Sequence, residues 1–230
     1  MQLLPDHAYV GLSPSQAGSW RAVATWANLV TSLRVAACIP LALVSILAPS
    51  RTLLLTAYAV YWVGDVLDGQ LARRLGQETR VGAVLDIVSD RACSSVLVCA
   101  LVVQEPRLSP ALAVYLVQFM VVDCVLSLAF LRWPVLSPNY FYCVDRTVWR
   151  WNWSPLAKAV NTCGVVVAVL AGLLPVALLI AVAQLLLKLW SAWVVVGLAL
   201  PAPLHVKTAR EPDVATSPSA RSVVPRPRRG

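Results

Sequence analysis

Six apolar runs, at roughly 27–48, 52–71, 82–103, 109–131, 156–174 and 176–200, fill the chain from residue 27 to residue 200. Each is close to the about 20 residues that a helix needs to cross the hydrocarbon core of a bilayer. None alternates with period two, and an open sheet in lipid would leave backbone groups without hydrogen bonds. The runs therefore predict an all-α membrane protein of six transmembrane helices. Composition agrees: 59% of residues are hydrophobic and 13% charged, where a soluble domain carries about 25% charged residues. A soluble globule and a disordered chain are both excluded. A six-helix bundle leaves no room for a second catalytic domain, so any chemistry must come from the spans and their connections.

Three regions follow. Residues 1–26 form a leader in which Trp20, Arg21 and Trp26 predict an interfacial helix over 13–26, since Trp and Arg suit the headgroup region. The leader lacks the pattern of a cleaved signal peptide, so the first run reads as a retained span. Residues 27–200 are the bundle. Residues 201–230, rich in Pro, Ser and Arg and ending in Arg226-Pro227-Arg228-Arg229-Gly230, read as a disordered basic tail. Basic residues set the orientation. Fourteen Lys and Arg fall on the side of the N-terminus, in the leader, the second-to-third and fourth-to-fifth connections and the tail; only Arg51 and Arg107 fall opposite. By the positive-inside rule both termini face the cytoplasm, which also demands an even number of spans. The net charge of +8 thus points to cytoplasmic loops and anionic lipid, not to nucleic acid. The six cysteines form no Cys-x2-Cys pair, most fall in apolar runs, and they read as free thiols.

Charge inside a span is costly and marks function. Of 11 acidic residues, five lie in the runs: Asp65, Asp68, Asp86, Asp90 and Asp123. Asp65 and Asp68 are three apart and Asp86 and Asp90 four apart, so each pair shares a helix face. Residues 72–81 are polar enough to be a cytoplasmic turn, and an antiparallel pair joined there gathers the four carboxylates near the membrane surface. Few of the chain's cations lie near them in sequence, which makes metal ions the natural partners. Oxygen-only donors suit Mg²⁺ or Mn²⁺, and two such ions suit phosphoryl displacement. Gly69 and Gly82 allow close approach of a ligand or a second backbone, and Arg73 offers a fork of donors to phosphate. On the carboxylates alone, an acid-lined proton or cation pathway is the alternative.

Asp65-x2-Asp68-Gly69-x2-Ala72-Arg73-x8-Gly82-x3-Asp86-x3-Asp90 resembles the complete signature of the CDP-alcohol phosphatidyltransferase family, with all eight fixed positions at their spacing. The resemblance implies a six-helix membrane enzyme, usually a homodimer, that moves a substituted phosphate from a CDP-linked donor to an alcohol and releases CMP. It implies Asp65, Asp68, Asp86 and Asp90 as ligands of two Mg²⁺ or Mn²⁺ ions, with Asp90 also the general base. Asp68, Gly69, Ala72, Arg73 and Gly82 would line the CDP site. The donor would be CDP-diacylglycerol, in phospholipid biosynthesis. A transporter has no need of the glycines, Ala72 and Arg73 at these offsets, and a catalytically silent relative has no need of all four Asp. His7 and His205 lie in the terminal segments, and no Ser, Cys or His is placed as a nucleophile; direct displacement follows.

The acceptor is a polar alcohol. Ser89-Asp90-Arg91 resembles members that use inositol or inositol phosphate. Arg91, with Arg146, Arg150 and Lys158 of the fourth-to-fifth connection, forms the candidate acceptor site, a basic set that suits a phosphate and equally fits positive-inside charge. Asn28-x2-Thr31-x2-Arg34 and the segment 157–162 resemble members that use glycerol 3-phosphate, the alternative acceptor. Asp123 is open to three readings: a partner for an Arg, a contact to the acceptor, or a bond between helices.

Overall fold

The structure is a computed structural model that describes residues 23–199. The tail over 201–230, both histidines, and nearly all of the interfacial helix expected over 13–26 lie outside the described residues. The rest is helical: α1 (Trp26–Leu47), α2 (Arg51–Arg74), α3 (Arg80–Gln104), α4 (Ser109–Val117), α5 (Cys124–Leu128), α6 (Arg146–Asn152), α7 (Pro155–Leu170) and α8 (Leu174–Gly197). No extended strand occurs among the described residues.

Local chemistry sets the ends. Thr25, Ser50, Thr79, Asp145 and Ser154 each cap a helix by accepting a backbone N–H of its first turn. Pro49, just after α1, cannot continue a helix. Between α2 and α3 the chain reverses through Gly76 at φ 60°, a left-handed position that glycine adopts without penalty.

The six apolar runs coincide with helical stretches, with one difference. The run expected at 109–131 is not one uniform helix: a π-helical turn, Gln118–Asp123, joins α4 to α5, and a 3₁₀ turn, Ala129–Arg132, follows. Hydropathy registers length and apolarity but not this change of winding. Three helical stretches are long and apolar enough to cross a membrane: Trp26–Leu47, Pro106–Arg132 and Leu174–Gly197. α2 and α3 carry the motif's charges, and α7 is shorter.

The helices bury their polar side and expose their apolar side. α1 buries Asn28, Thr31, Arg34 and Ser45 while Leu29, Leu33, Leu43 and Leu47 are exposed; α8 buries Gln184, Lys188 and Ser191 while Leu179, Leu186, Trp193 and Val196 are exposed. That inversion matches lipid as the solvent, where only packing and interhelical polar contacts hold helices together. The chain is an integral membrane protein. All six cysteines are free; Cys38 and Cys93 are buried, whereas Cys99 is exposed.

α1 packs against both α2 and α3. An aromatic cluster closes the end of the bundle near the α2–α3 turn, with Phe141 between Trp133 (5.4 Å, edge-on) and Trp153 (4.9 Å). The turn is tied down there. Arg80 donates to Leu131 O at 2.8 Å, and the Tyr140 hydroxyl donates to Glu78 at 2.7 Å. Burial and the bond to the Glu78 carboxylate push the Tyr140 hydroxyl above its ordinary pKa, so it stays a donor.

Candidate functional site

A cavity of about 530 Å³ opens among α1, α2, α3, the π turn and the segment before α7. Asp65, Asp68, Gly69, Ala72, Arg73, Gly82, Asp86 and Asp90 all line it. Spacings of three and four turn each acidic pair to one face, and the reversal at Gly76 sets the two faces together. One carboxylate oxygen from each of Asp65, Asp68 and Asp86 lies within 4.8 Å of the others. Asp90 is one turn further along α3 and outside that group.

Gly82 is needed where it stands. A Cβ there would lie 2.9 Å from both Asn28 Oδ1 and Thr79 Oγ1, so the missing side chain lets α1 close against the start of α3.

A third helix enters the site. The Thr31 hydroxyl donates to Asp68 Oδ2 at 2.7 Å. Arg34 donates through Nη1 to Asp65 Oδ1 (2.7 Å) and Asp90 Oδ1 (3.0 Å), and through Nη2 to Asp86 Oδ1 (3.1 Å). Its Nη2 also lies 3.7 Å from Asp68 Oδ2. Few of the chain's cations were expected near the carboxylates, and this is corrected: a fully buried guanidinium sits among all four. Sequence distance concealed it, because Arg34 is 31 to 56 residues from its partners.

The donor set fits a hard divalent cation. It is carboxylate oxygen only, and its spacing lets several oxygens reach one ion. Four carboxyl groups face the single positive charge of Arg34, so a divalent ion would find charge left to balance there.

A second polar cluster lines the buried side of the same cavity. Asp123, from the π turn, pairs with Arg91 of α3 and with Lys188 of α8, whose Nζ is 2.5 Å from Asp123 Oδ1. Arg91 also donates to Ile87 O at 3.2 Å and stacks over Phe119 at 4.3 Å. Of the three readings of Asp123, pairing with an Arg is realised, the same contact is a bond between helical segments, and Lys188 is an additional partner. Gln118 and Asn152 line the cavity too, and Gln118 Oε1 and Asn152 Oδ1 are buried without a hydrogen-bond partner. Sequence reasoning missed both. The signal that could have found the first is a polar Gln118 inside an apolar run, since polar groups within a span face the bundle interior.

The expected acceptor residues divide. Arg91 and Lys158 line the cavity, Lys158 donating to Asn139 Oδ1 at 2.5 Å. Arg146 and Arg150 are exposed on α6 and do not line it.

A smaller apolar groove of about 120 Å³, lined by Leu54, Leu55, Leu97, Leu112 and Val165 among others, shares Tyr61 and Tyr115 with the main cavity.

Comparison with known proteins agrees with this geometry. Three curated relatives carry the name CDP-diacylglycerol–inositol 3-phosphatidyltransferase. That of Saccharomyces cerevisiae is 44% identical over 50 residues, 22% of this chain and 23% of its own. That of Candida albicans is 39% identical over 80 residues, 35% and 34% of the two chains. That of Schizosaccharomyces pombe is 46% identical over 43 residues, 19% and 18%. The matches thus span between about a fifth and a third of the relatives' length. No solved structure matches the chain. The model of the CDP-alcohol phosphatidyltransferase family matches residues 24–200, which take in every described helix. The chain belongs to the CDP-alcohol phosphatidyltransferase family.

Proposed function

We propose that the chain transfers a phosphatidyl group from CDP-diacylglycerol to inositol or a closely related polyol, releasing CMP, as a step of phospholipid biosynthesis. The observation that carries the reading is the gathering of four carboxylates from α2 and α3 on one cavity. Names of the relatives support inositol. The apolar groove that shares Tyr61 and Tyr115 with the cavity supports a donor with acyl chains; a transporter of ions has no use for it.

Asp65, Asp68, Asp86 and Asp90 would hold two divalent ions, Mg²⁺ or Mn²⁺. When bound, the ions neutralise the donor's pyrophosphate and make CMP a tolerable leaving group. Gly69, Ala72 and Gly82 give the nucleotide a wall without bulk. Arg73 and Lys158, both exposed at the rim, bind phosphate oxygens. Asp90 Oδ1 is taken by Arg34, so Asp90 Oδ2 receives the proton of the acceptor hydroxyl. The acceptor oxygen then bonds to the phosphorus that carries diacylglycerol, and the bond from that phosphorus to CMP breaks with its electron pair. The test is CMP release from CDP-diacylglycerol in the presence of inositol. Chelation should abolish it and Mg²⁺ or Mn²⁺ restore it. Full activity in excess chelator would remove the ions from the reading, and ion flux without CMP release would favour a transporter.

The buried side of the cavity supports a neutral polyol. Arg91 and Lys188 are already paired with Asp123, while Gln118 Oε1 and Asn152 Oδ1 lack donors that hydroxyls would supply. Gln118→Leu should raise the KM for inositol more than the KM for CDP-diacylglycerol. Lys158→Gln should act the other way and raise the donor KM. Exposed Lys158 favours a second reading, a phosphorylated acceptor such as inositol phosphate or glycerol 3-phosphate. Saturation by one of those in place of inositol, with Lys158→Gln raising its KM alone, would select that reading. Arg146 and Arg150 enter the proposal only if their neutralisation also raises an acceptor KM.

We further propose six spans with both termini and the active site cytoplasmic, supported by the basic bias of the connections. In a cysteine-free background, Glu78→Cys should label from the cytoplasmic side and Arg107→Cys from the other; the reverse pattern overturns the orientation. A homodimer rests on the family resemblance, and a monomer mass in lipid nanodiscs would refute it.

A further inference from the structure

Asn28, Thr31 and Arg34 recur every three residues along one face of α1, and all three are buried. Their contacts follow a pattern. Thr31 takes one oxygen of Asp68, and Arg34 takes Oδ1 of Asp65, Asp86 and Asp90. Among the described residues, no side chain donates a hydrogen bond to Oδ2 of Asp65, Asp86 or Asp90. Each terminal guanidinium nitrogen reaches both helices: Nη1 touches Asp65 on α2 and Asp90 on α3, while Nη2 touches Asp86 on α3 and approaches Asp68 on α2. The packing is shaped around this side chain. Its exposure is 0%, Tyr61 places its ring 5.5 Å from the guanidinium, and a Cβ on Gly64 would lie 2.7 Å from Arg34 Cγ and Cδ.

We propose that Arg34 is a positioning residue of the metal site. It clamps α2 to α3 through one oxygen each of Asp65, Asp86 and Asp90, leaves the second oxygen of Asp65 and Asp86 for a divalent cation and that of Asp90 for the acceptor's proton, and balances part of their charge before any cation binds. The inference rests on the reading of this cluster as a divalent-cation site. Lysine cannot replace it, because one ammonium has no planar fork with which to bridge the two helices. The role has an electrostatic consequence. A cation among the ligands lowers the attraction for a divalent ion, and it relieves repulsion that the ion would otherwise relieve. Without Arg34 the ion-free protein loses stability and the ion-bound protein loses much less, so the ion binds more tightly even as the carboxylates lose their alignment.

The test is Mn²⁺ binding to the purified full chain in lipid nanodiscs, read from the spin-resonance signal of free Mn²⁺, together with thermal unfolding in chelator and in Mn²⁺. Arg34→Gln should bind Mn²⁺ at least ~10-fold more tightly than the unaltered chain, as removal of a neighbouring positive charge requires. Its Tm should fall in chelator and recover most of the loss in Mn²⁺, while kcat falls. Arg34→Lys should keep an affinity near that of the unaltered chain but not its kcat. Gly64→Ala should displace the guanidinium stem and shift both affinity and Tm in the direction of Arg34→Gln, although alanine favours a helix more than glycine does. Should Arg34→Gln fold only with Mn²⁺ present, the proposal stands. Should it fold under neither condition, the affinity of Gly64→Ala decides. An unchanged Mn²⁺ affinity, with the same loss of Tm in chelator and in Mn²⁺, would make Arg34 a packing residue and overturn the proposal. Absence of Mn²⁺ binding by the unaltered chain would instead overturn the metal-site reading beneath it.

Discussion

Asp90→Asn should lower kcat by at least ~10²-fold, the lower range for loss of a general base, and should leave the KM for CDP-diacylglycerol nearly unchanged. The expectation follows from where Asp90 stands. Asp65, Asp68 and Asp86 form a tight oxygen group by themselves, so a cation keeps ligands without Asp90. Asp90 lies one helical turn beyond Asp86, towards the buried side where Gln118 and Asp123 line the cavity. Its side chain is 20% exposed, against 43% for Asp65 and 44% for Asp86. An acceptor seated against Gln118 therefore meets Asp90 first. Asparagine keeps the size and the oxygen that faces Arg34 but cannot take a proton. Asp65→Asn should differ: its loss is in metal affinity, and excess Mg²⁺ or Mn²⁺ should rescue part of the rate. Titrating metal against both variants separates the two roles. Near-native turnover in Asp90→Asn would send the acceptor's proton to water or to a phosphate oxygen.

The parts of this site that were legible in the sequence are those encoded within one helix pair. Spacings of three and four place the Asp pairs on faces, and the polar stretch 72–81 marks the reversal that opposes them. Gly82 was legible as a close approach, though not that Asn28 would be the neighbour. Contacts made across long separations were not legible. Asn28-x2-Thr31-x2-Arg34 showed a polar stripe on an otherwise apolar helix, but nothing in α1 states which helix that stripe will face. The stripe read only as a likeness to one subgroup, and it did not show that Asn28 and Thr31 line the cavity with Arg34 buried among its carboxylates. Arg91, Asp123 and Lys188 show the same limit. Asp123 stood out as a charge inside an apolar run, and the pairing of the three depends on how α3, the π turn and α8 pack. The basic connection before α7 failed in another way. Arg146, Arg150 and Lys158 look alike in sequence, but only Lys158 falls on the cavity, because α6 ends at Asn152 and α7 restarts the helical phase at Pro155.

Asp123→Asn should destabilise the folded protein by about 3–5 kcal/mol, the cost of stranding a buried charge. Asp123 is the shared partner of Arg91 and Lys188, which are only 7% and 4% exposed. Arg91 retains bonds to Ile87 O and Ser127 Oγ, but neither carries charge, and its Nε is already without a partner. An amide offers Lys188 an acceptor and no counter-charge, so two buried cations are left facing each other. Replacing all three residues at once, by Arg91→Met, Asp123→Leu and Lys188→Met, should cost less than Asp123→Leu alone, because the desolvation of every charge disappears with the charges. Unfolding free energies in mixed micelles, measured for the singles and the triple, test this directly. A cost below about 1 kcal/mol for Asp123→Asn, the range of solvated ion pairs, would mean that water in the cavity reaches both cations. Arg91 and Lys188 would then be free to hold a phosphate, the case for a neutral acceptor would fail, and the phosphorylated alcohol would become the better reading of the same cavity.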